Sequence, residues 1–412
     1  MHNLAIMYIL IILFCITLSQ KVPNIAQTWP LLYVGIFFIF IWTCYICLKI
    51  CARKEIVFSG FSSSILYFIL LFTISVDVMF NLQSRNAFIL NLILGHIFPI
   101  VFVISFMNKS LNSMLYIAAE VLFSFSVFHA LVAWFFIAGW SFSLLGIEYR
   151  HNWLWGTRLH GIMGEPTHFG LLMGLGLLSL VYLYKRRLSL YLVSLRVNIF
   201  YVLLSLFFIS SIQFSGTRNA LVATTLSLLV YSVFDEAVRK LLKKYVLFFI
   251  PIVLFSFIIF HDVFIAYFDI LAKNLRIGDS TSENDRLLRI SSNLSYISGF
   301  DILELLFGVG YSKSLLLTTS FNQYVDVLRD FGLIWLVMGM VLILFVSYTY
   351  FVKIRGGWSE GVYPFSLLVY SLSVFMFYSP MNSVFHIVSF VFVWSVLISF
   401  VVQKKVLIFT KS

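Results

Sequence analysis

Apolar residues in this chain come in long, nearly unbroken runs separated by short polar segments. Neither a period-two alternation nor a narrow helical stripe runs through them. Helices that are apolar on every face belong in lipid, where each backbone group must be satisfied within its own segment, and a membrane β-barrel would alternate instead. Crossing a hydrocarbon core of roughly 30 Å takes about 20 apolar residues, which predicts about twelve spans. They fall at 4–18, 31–50, 63–80, 87–107, 114–139, 167–184, 197–212, 220–234, 245–260, 331–351, 362–378 and 383–402. The expected fold is an all-α polytopic membrane helix bundle, a single integral membrane domain over 1–412. The first run lacks a preceding basic region and a small-residue cleavage site, so it reads as an uncleaved span.

Simple alternation of the spans puts Lys49, Arg53, Lys54, Lys109, Lys185–Arg187, Arg196, Arg239, Lys240, Lys243, Lys244, Lys353, Arg355, Lys404 and Lys405 on one side. The positive-inside bias makes that side the cytoplasm, with both termini there. Two segments on the opposite side, 140–166 and 262–330, are long and polar, and these are the expected working surfaces. The second carries Ser282-Glu283-Asn284-Asp285 at capping-box spacing, then Leu287, Ile290, Leu294 and Ile297 on one stripe. That pattern predicts a short amphipathic helix lying with its apolar stripe along the bundle, and Arg286, Arg289 and Asn293 on an adjoining face. Gly308 and Gly310 permit a turn, and Asn322, Asp326 and Arg329 follow at i, i+4 and i+7 as one polar stripe leading into the next span.

Between the seventh and eighth spans, residues 198–212 make about fifteen residues, or roughly 22 Å of helix, which is short of the hydrocarbon thickness. The following Ser215-Gly216-Thr217-Arg218-Asn219 is therefore expected below the outer surface. A guanidinium there costs about 2.5–3.5 kcal/mol by insertion scales unless it meets protein, water or an anionic ligand, or snorkels to the headgroups.

Composition agrees: 61% hydrophobic residues, 11% charged and a mean hydropathy of +1.00 exclude a soluble globular protein. The net charge of +11 sits mostly in short loops where it sets topology, so it implies no nucleic-acid partner. Cys15, Cys44, Cys47 and Cys51 all fall in the first two spans and read as small apolar residues; the CxxC spacing of Cys44 and Cys47 has no second thiol or histidine pair beside it. No metal site and no cofactor is expected. Asp77, His96, Glu120, His129 and His386 lie within spans, where packing and a transporter's proton path are both open readings. Trp134, Trp140, Tyr149, Trp153 and Trp155 suit an interfacial belt, or stacking against sugar rings.

Chemistry concentrates in Arg158-Leu159-His160-Gly161-Ile162-Met163-Gly164-Glu165-Pro166-Thr167-His168-Phe169. Pro166 suits the first helical position, so Glu165 is placed at a helix N-terminus, where the local positive potential favours its ionised form. A plain helix cap at a membrane surface needs no more than this. Arg158, Arg218, Arg286, Arg289 and Arg329, however, all fall on the outer side, against the usual charge bias. Arginine presents planar donors that match phosphate. ATP is not available there and no GxxxxGK[ST] loop occurs, whereas a lipid-linked pyrophosphate meets both conditions.

Arg-x-x-Gly followed by Gly-Glu-Pro-Thr-His-Phe, Ser-Gly-Thr-Arg between two spans, and Phe-Gly-Val-Gly-Tyr before Phe-Asn-Gln-Tyr-Val-Asp-Val-Leu-Arg-Asp-Phe-Gly-Leu resemble, in order and placement, the Wzy-type O-antigen polymerases and related O-antigen ligases. The likeness covers about 140–351; the first five spans match no motif of that family. It implies a metal-independent glycosyltransferase of a bacterial inner membrane, moving a growing glycan from undecaprenyl pyrophosphate onto the next lipid-linked repeat unit at the outer face. The resemblance makes Glu165, Arg218, Arg286 and Arg289 the candidate catalytic residues, and Arg158, His168, Asn322, Asp326 and Arg329 the substrate-binding ones. Undecaprenyl-pyrophosphate oligosaccharides, membrane lipid, a chain-length regulator and a flippase are the implied partners. The related ligases usually have histidine where this chain has Asn322, which favours the polymerase. A ligase with the same donor, and a transporter or flippase of about twelve spans, are the competing readings.

Overall fold

The computed structural model of the chain describes residues 111–138, 158–160, 165–190, 195–240, 242–243, 280–309, 320 and 322–377, with isolated positions between 7 and 45 and at 265 and 269. The spans expected at 4–18, 31–50, 63–80, 87–107, 245–260 and 383–402 lie outside the described residues apart from those isolated positions. So do Asp77, His96, His386, Trp140, Tyr149, Trp153, Trp155 and Gly310.

Every described element is helical: α1 (Leu111–Ile137), α2 (Pro166–Leu190), α3 (Leu195–Ser215), α4 (Arg218–Phe234), α5 (Ser280–Ser298), α6 (Ile302–Phe307), α7 (Gln323–Arg355) and α8 (Val362–Phe377), with a short 3-10 turn at Ser359–Gly361. Four of them are long and apolar enough to cross a membrane, over Asn112–Ile137, Pro166–Arg187, Asn198–Ser215 and Gln323–Arg355. The described residues are those of a helical membrane protein.

The bundle is built around α2, whose spanning segment is 94% buried against only 12% for α7. Without a hydrophobic drive between helices in lipid, close approach and polar contacts across small residues do the packing. A Cβ added at Gly174 would lie 2.4 Å from Thr224 Oγ1 and 2.6 Å from Tyr370 Oη, so α2, α4 and α8 meet there. The Tyr370 hydroxyl donates to Leu171 O at 2.7 Å, and Ser126 Oγ on α1 donates to Leu172 O at 3.0 Å. Trp134 donates from Nε1 to Ser211 Oγ at 2.9 Å and joins α1 to α3. His129 is buried between the Phe125 and Phe128 rings.

These contacts fix which ends lie together. At one end, Lys185 of α2 pairs with Asp235 after α4 at 2.5 Å and donates to Ser359 O before α8, while Arg186 donates to Asn112 O at the start of α1. At the other end, the start of α2 meets the α3–α4 turn, and Asn322 before α7 donates from Nδ2 to Met376 O near the end of α8 at 3.3 Å. Successive spans thus run up and down, with Lys185–Arg187, Lys353 and Arg355 gathered at one end.

Three expectations need correction. First, α3 runs from Leu195 to Ser215, 21 residues, or roughly 31 Å, so the span is not short of the hydrocarbon thickness. Second, α5 starts at Ser280, so Ser282 is inside the helix and not its cap, whereas a capping box does form at Asp301 and Glu304 before α6. Third, α5 is rolled by about a sixth of a turn from the orientation in which its apolar stripe would face the bundle. Asn293 and Ile297 face inward at 4% and 8% exposure, and Leu287 and Leu294 are left exposed. What draws Asn293 inward is its hydrogen bond from the buried Arg329, which would otherwise keep an unmatched donor.

Finally, the α7 run is broken near its start by Gly332, at φ 83° and ψ 179°. Gly308, at φ 77°, lies directly against this break, and a Cβ on either glycine would fall 2.4 Å from backbone of the other's segment. The two glycines let α6 dock backbone to backbone on the entrance to α7.

Candidate functional site

Pro166 opens α2 as its φ restriction predicts, and Glu165 immediately precedes it, its carbonyl accepting from Phe169 N at 3.2 Å. The Glu165 carboxylate is 46% exposed, while the His168 ring behind it is 4% exposed with Nε2 3.3 Å from Oε2. A buried imidazole thus holds an accessible carboxylate in one orientation.

The turn Ser215–Arg218 sits beside this helix start. Gly170 makes the approach possible, since a Cβ there would be 2.6 Å from Ser215 Oγ. Thr217 occupies the N-cap position of α4 without making a side-chain cap; its Oγ1 donates instead to Pro166 O at 3.0 Å. The N-termini of α2 and α4 are therefore clamped together, and Arg218 is the first residue of α4. Ser215, Gly216, Thr217, Asn219 and Ala220 are buried around it, whereas Arg218 itself is half-buried.

Arg158 crosses over the same turn. Its Nε donates to Ser215 O at 2.8 Å and an Nη to Gly216 O at 2.9 Å, while Leu159 N donates to Phe214 O at 2.9 Å. The carbonyls at the end of α3 carry the negative end of the helix dipole, which a guanidinium satisfies well. His160 is buried next to it at 4% exposure. Arg158, His160, Glu165, His168 and Arg218 thus come together at one end of the bundle, opposite Lys185–Arg187.

A second group surrounds the start of α7. Asn322 caps that helix, its Oδ1 accepting from Tyr324 N at 3.0 Å and Val325 N at 3.3 Å. Asp326, 1% exposed, accepts from Ser320 N at 3.0 Å. Arg329, also 1% exposed, gives Asp330 two bonds at 2.6 and 3.2 Å, reaches Asn293 Oδ1 at 2.5 Å and lies 3.5 Å from Asp326. These residues tie α5 to α7.

Arg286 and Arg289 stand on α5. Arg286 lies one heptad before the inward-facing Asn293, on the same stripe; Arg289 pairs with Asp285 at 3.0 Å, and both arginines are half-buried. The Asn322 and Tyr324 contacts to Met376 and Phe375 put this group on the same end of the bundle as the Glu165–Arg218 group.

Sequence reasoning overlooked several residues. Thr217 and Ser215 carry the clamp, and their signal was the two short hydroxyl side chains flanking a glycine after an apolar run. Asp330 shares Arg329 with Asp326, and it followed directly in the sequence. The Lys185–Asp235 pair needed knowledge of which helix ends meet.

No family model matches the chain, and no curated protein matches it.

Proposed function

We propose that the chain is a polymerase of lipid-linked oligosaccharide repeat units, a glycosyltransferase that moves a growing glycan from undecaprenyl pyrophosphate to the next lipid-linked unit at the outer face of a bacterial cytoplasmic membrane. The observation that carries this reading is the accessible Glu165 carboxylate at the start of α2, which is clamped to the start of α4 where Arg218 stands, on the end away from the basic cluster. A carboxylate and a cation at adjoining positive helix ends suit a reaction that takes up a proton and releases an anion.

In this reading an acceptor hydroxyl attacks the anomeric carbon of the donor glycan. Glu165 accepts the hydroxyl proton as the new glycosidic bond forms. The bond from that carbon to the pyrophosphate oxygen breaks, its electron pair leaving with undecaprenyl pyrophosphate. Arg218, Arg286 and Arg289 hold the departing charge, helped by the positive N-terminus of α4. His168 holds Glu165 in position. Arg158 acts on the turn that carries Arg218, since two of its donors go to carbonyls there. Asn322 caps α7, and Asp326 and Arg329 tie α5 to it, so they act by holding Arg286 and Arg289 in place. A chain-length regulator and a flippase are the protein partners such an enzyme works with.

The test is made in cells that depend on this protein for their surface polysaccharide. Glu165→Gln and Arg218→Ala should abolish chain extension, leaving single repeat units, while membrane levels and detergent-solubilised size stay at the wild-type value. Wild-type polymer lengths in either variant would sink the assignment. Loss of transfer to a second acceptor with extension intact would make it a ligase.

A further inference from the structure

The helices α5 and α6 leave large apolar side chains uncovered. Leu287, Leu288 and Leu294 on α5 are 63%, 67% and 46% exposed, and Ile302, Leu303 and Phe307 on α6 are 77%, 67% and 48% exposed. Both helices carry polar residues as well, so neither is a span. In water such a patch would invite aggregation.

Its position supplies the cover. Through the Gly308–Gly332 contact and the Val309 N to Arg329 O bond at 3.0 Å, α6 is fixed against the entrance of α7. Immediately beyond the break, α7 presents Leu333, Val337, Val341 and Leu344 outward, at 39%, 51%, 60% and 64% exposure, on a span only 12% buried by protein. Its length and apolar composition make that flank a candidate for lipid contact. The apolar side chains of α6 begin where it ends, and those of α5 follow, tied in through Asn293 and Arg329.

We propose that α5 and α6 form a ledge lying in the plane of the outer membrane surface, with Leu287, Leu288, Leu294, Ile302, Leu303 and Phe307 seated among the lipid acyl chains. An interfacial helix buries its apolar face about 5–10 Å into the boundary of headgroups and chains while its polar face stays wet. Here the inward face is also used, by Asn293 and Ile297, so the helix is held between protein and lipid. This explains its roll: the leucines gain their burial from lipid, which frees the inward stripe for the Arg329 contact. The inference is independent of the proposed reaction.

The experiment uses the full chain with Cys15, Cys44, Cys47 and Cys51 replaced by serine, and a nitroxide attached at one new cysteine. The protein is reconstituted in phosphatidylcholine–phosphatidylglycerol bilayers. Leu287→Cys and Ile302→Cys test the ledge, Leu344→Cys is the lipid-facing reference, and Asp285→Cys, 54% exposed in its side chain, is the aqueous reference. Collision with oxygen is compared with collision with a water-soluble nickel chelate. The ratio of oxygen to nickel accessibility at 287 and 302 should exceed that at 285 several-fold and approach that at 344. A ratio equal to that at 285 would overturn the proposal. Low collision with both reagents, or spin–spin broadening between copies, would equally overturn it by showing protein on the patch. All four sites are exposed, and matching elution profiles check that each labelled variant is folded.

Discussion

Replacing Gly332 by alanine should separate α6 from α7. Its φ of 83° and ψ of 179° lie in a region open essentially to glycine alone, and holding another residue there costs about 1–3 kcal/mol. The new Cβ would also stand 2.4 Å from Leu306 O and 2.5 Å from Gly308 N, both backbone atoms that cannot swing aside. Relief requires moving α6, which breaks the Val309 N to Arg329 O bond, worth about 1 kcal/mol. The local loss comes to about 2–4 kcal/mol, or roughly 30- to 800-fold faster opening of this region. Amide hydrogen exchange of the purified protein, followed over 301–309, measures it. Gly339→Ala in the same helix is the control, because nothing lies within 4 Å of a Cβ there and alanine favours helix by about 1 kcal/mol. Gly308→Ala should give a loss like that of Gly332→Ala, and the two together less than their sum, because one separation relieves both clashes. Equal exchange over 301–309 in Gly332→Ala and Gly339→Ala would refute the reasoning.

Arg329→Ala should cost about 3–5 kcal/mol in thermal or denaturant unfolding, since it leaves Asp326 and Asp330 buried without their guanidinium, and Arg329→Lys should recover only part because it cannot make the forked bond to Asp330. Lys185→Met should destabilise strongly by isolating the 3%-exposed Asp235, while the Lys185→Met, Asp235→Leu double variant should lie closer to wild type in the same melt. Gly174→Val should lower the melting temperature more than Gly356→Val, because its side chain would enter the junction of Thr224 and Tyr370 whereas Gly356 meets nothing nearer than 3.4 Å.

The apolar runs foretold α1, α3, α4 and α8 to within about three residues, because a lipid-soluble helix announces itself by length alone; α2 runs six residues past its apolar stretch and α7 starts eight residues before its own, where the sequence is polar. Pro166 marked the start of α2 just as directly, and with it the position of Glu165. What could not be read was how neighbours pack. The stripe of Leu287, Ile290, Leu294 and Ile297 correctly indicated an amphipathic helix. It could not say that Asn293 would win the inward position by bonding Arg329, thirty-six residues further on. The turn Ser215–Arg218 was expected to lie below the membrane surface because of a short span; what the fold shows is its packing in protein, with Arg158 closing over it and Gly170 admitting it. Arg158 and Arg329 looked alike in sequence as outer-face arginines. In the fold one grips carbonyls and the other carboxylates, a distinction set by long-range contacts that no local pattern encodes.

The central claim is that the Glu165–Arg218 end of the bundle transfers glycans from a lipid-linked pyrophosphate. It is tested most directly by giving the purified protein, in nanodiscs with chelator present, the undecaprenyl-pyrophosphate repeat unit of its own source and resolving the products by length. The account predicts a ladder of lipid-linked polymers that disappears with Glu165→Gln and Arg218→Ala. Unchanged starting material with the wild-type protein, both alone and with a second acceptor added, would contradict it.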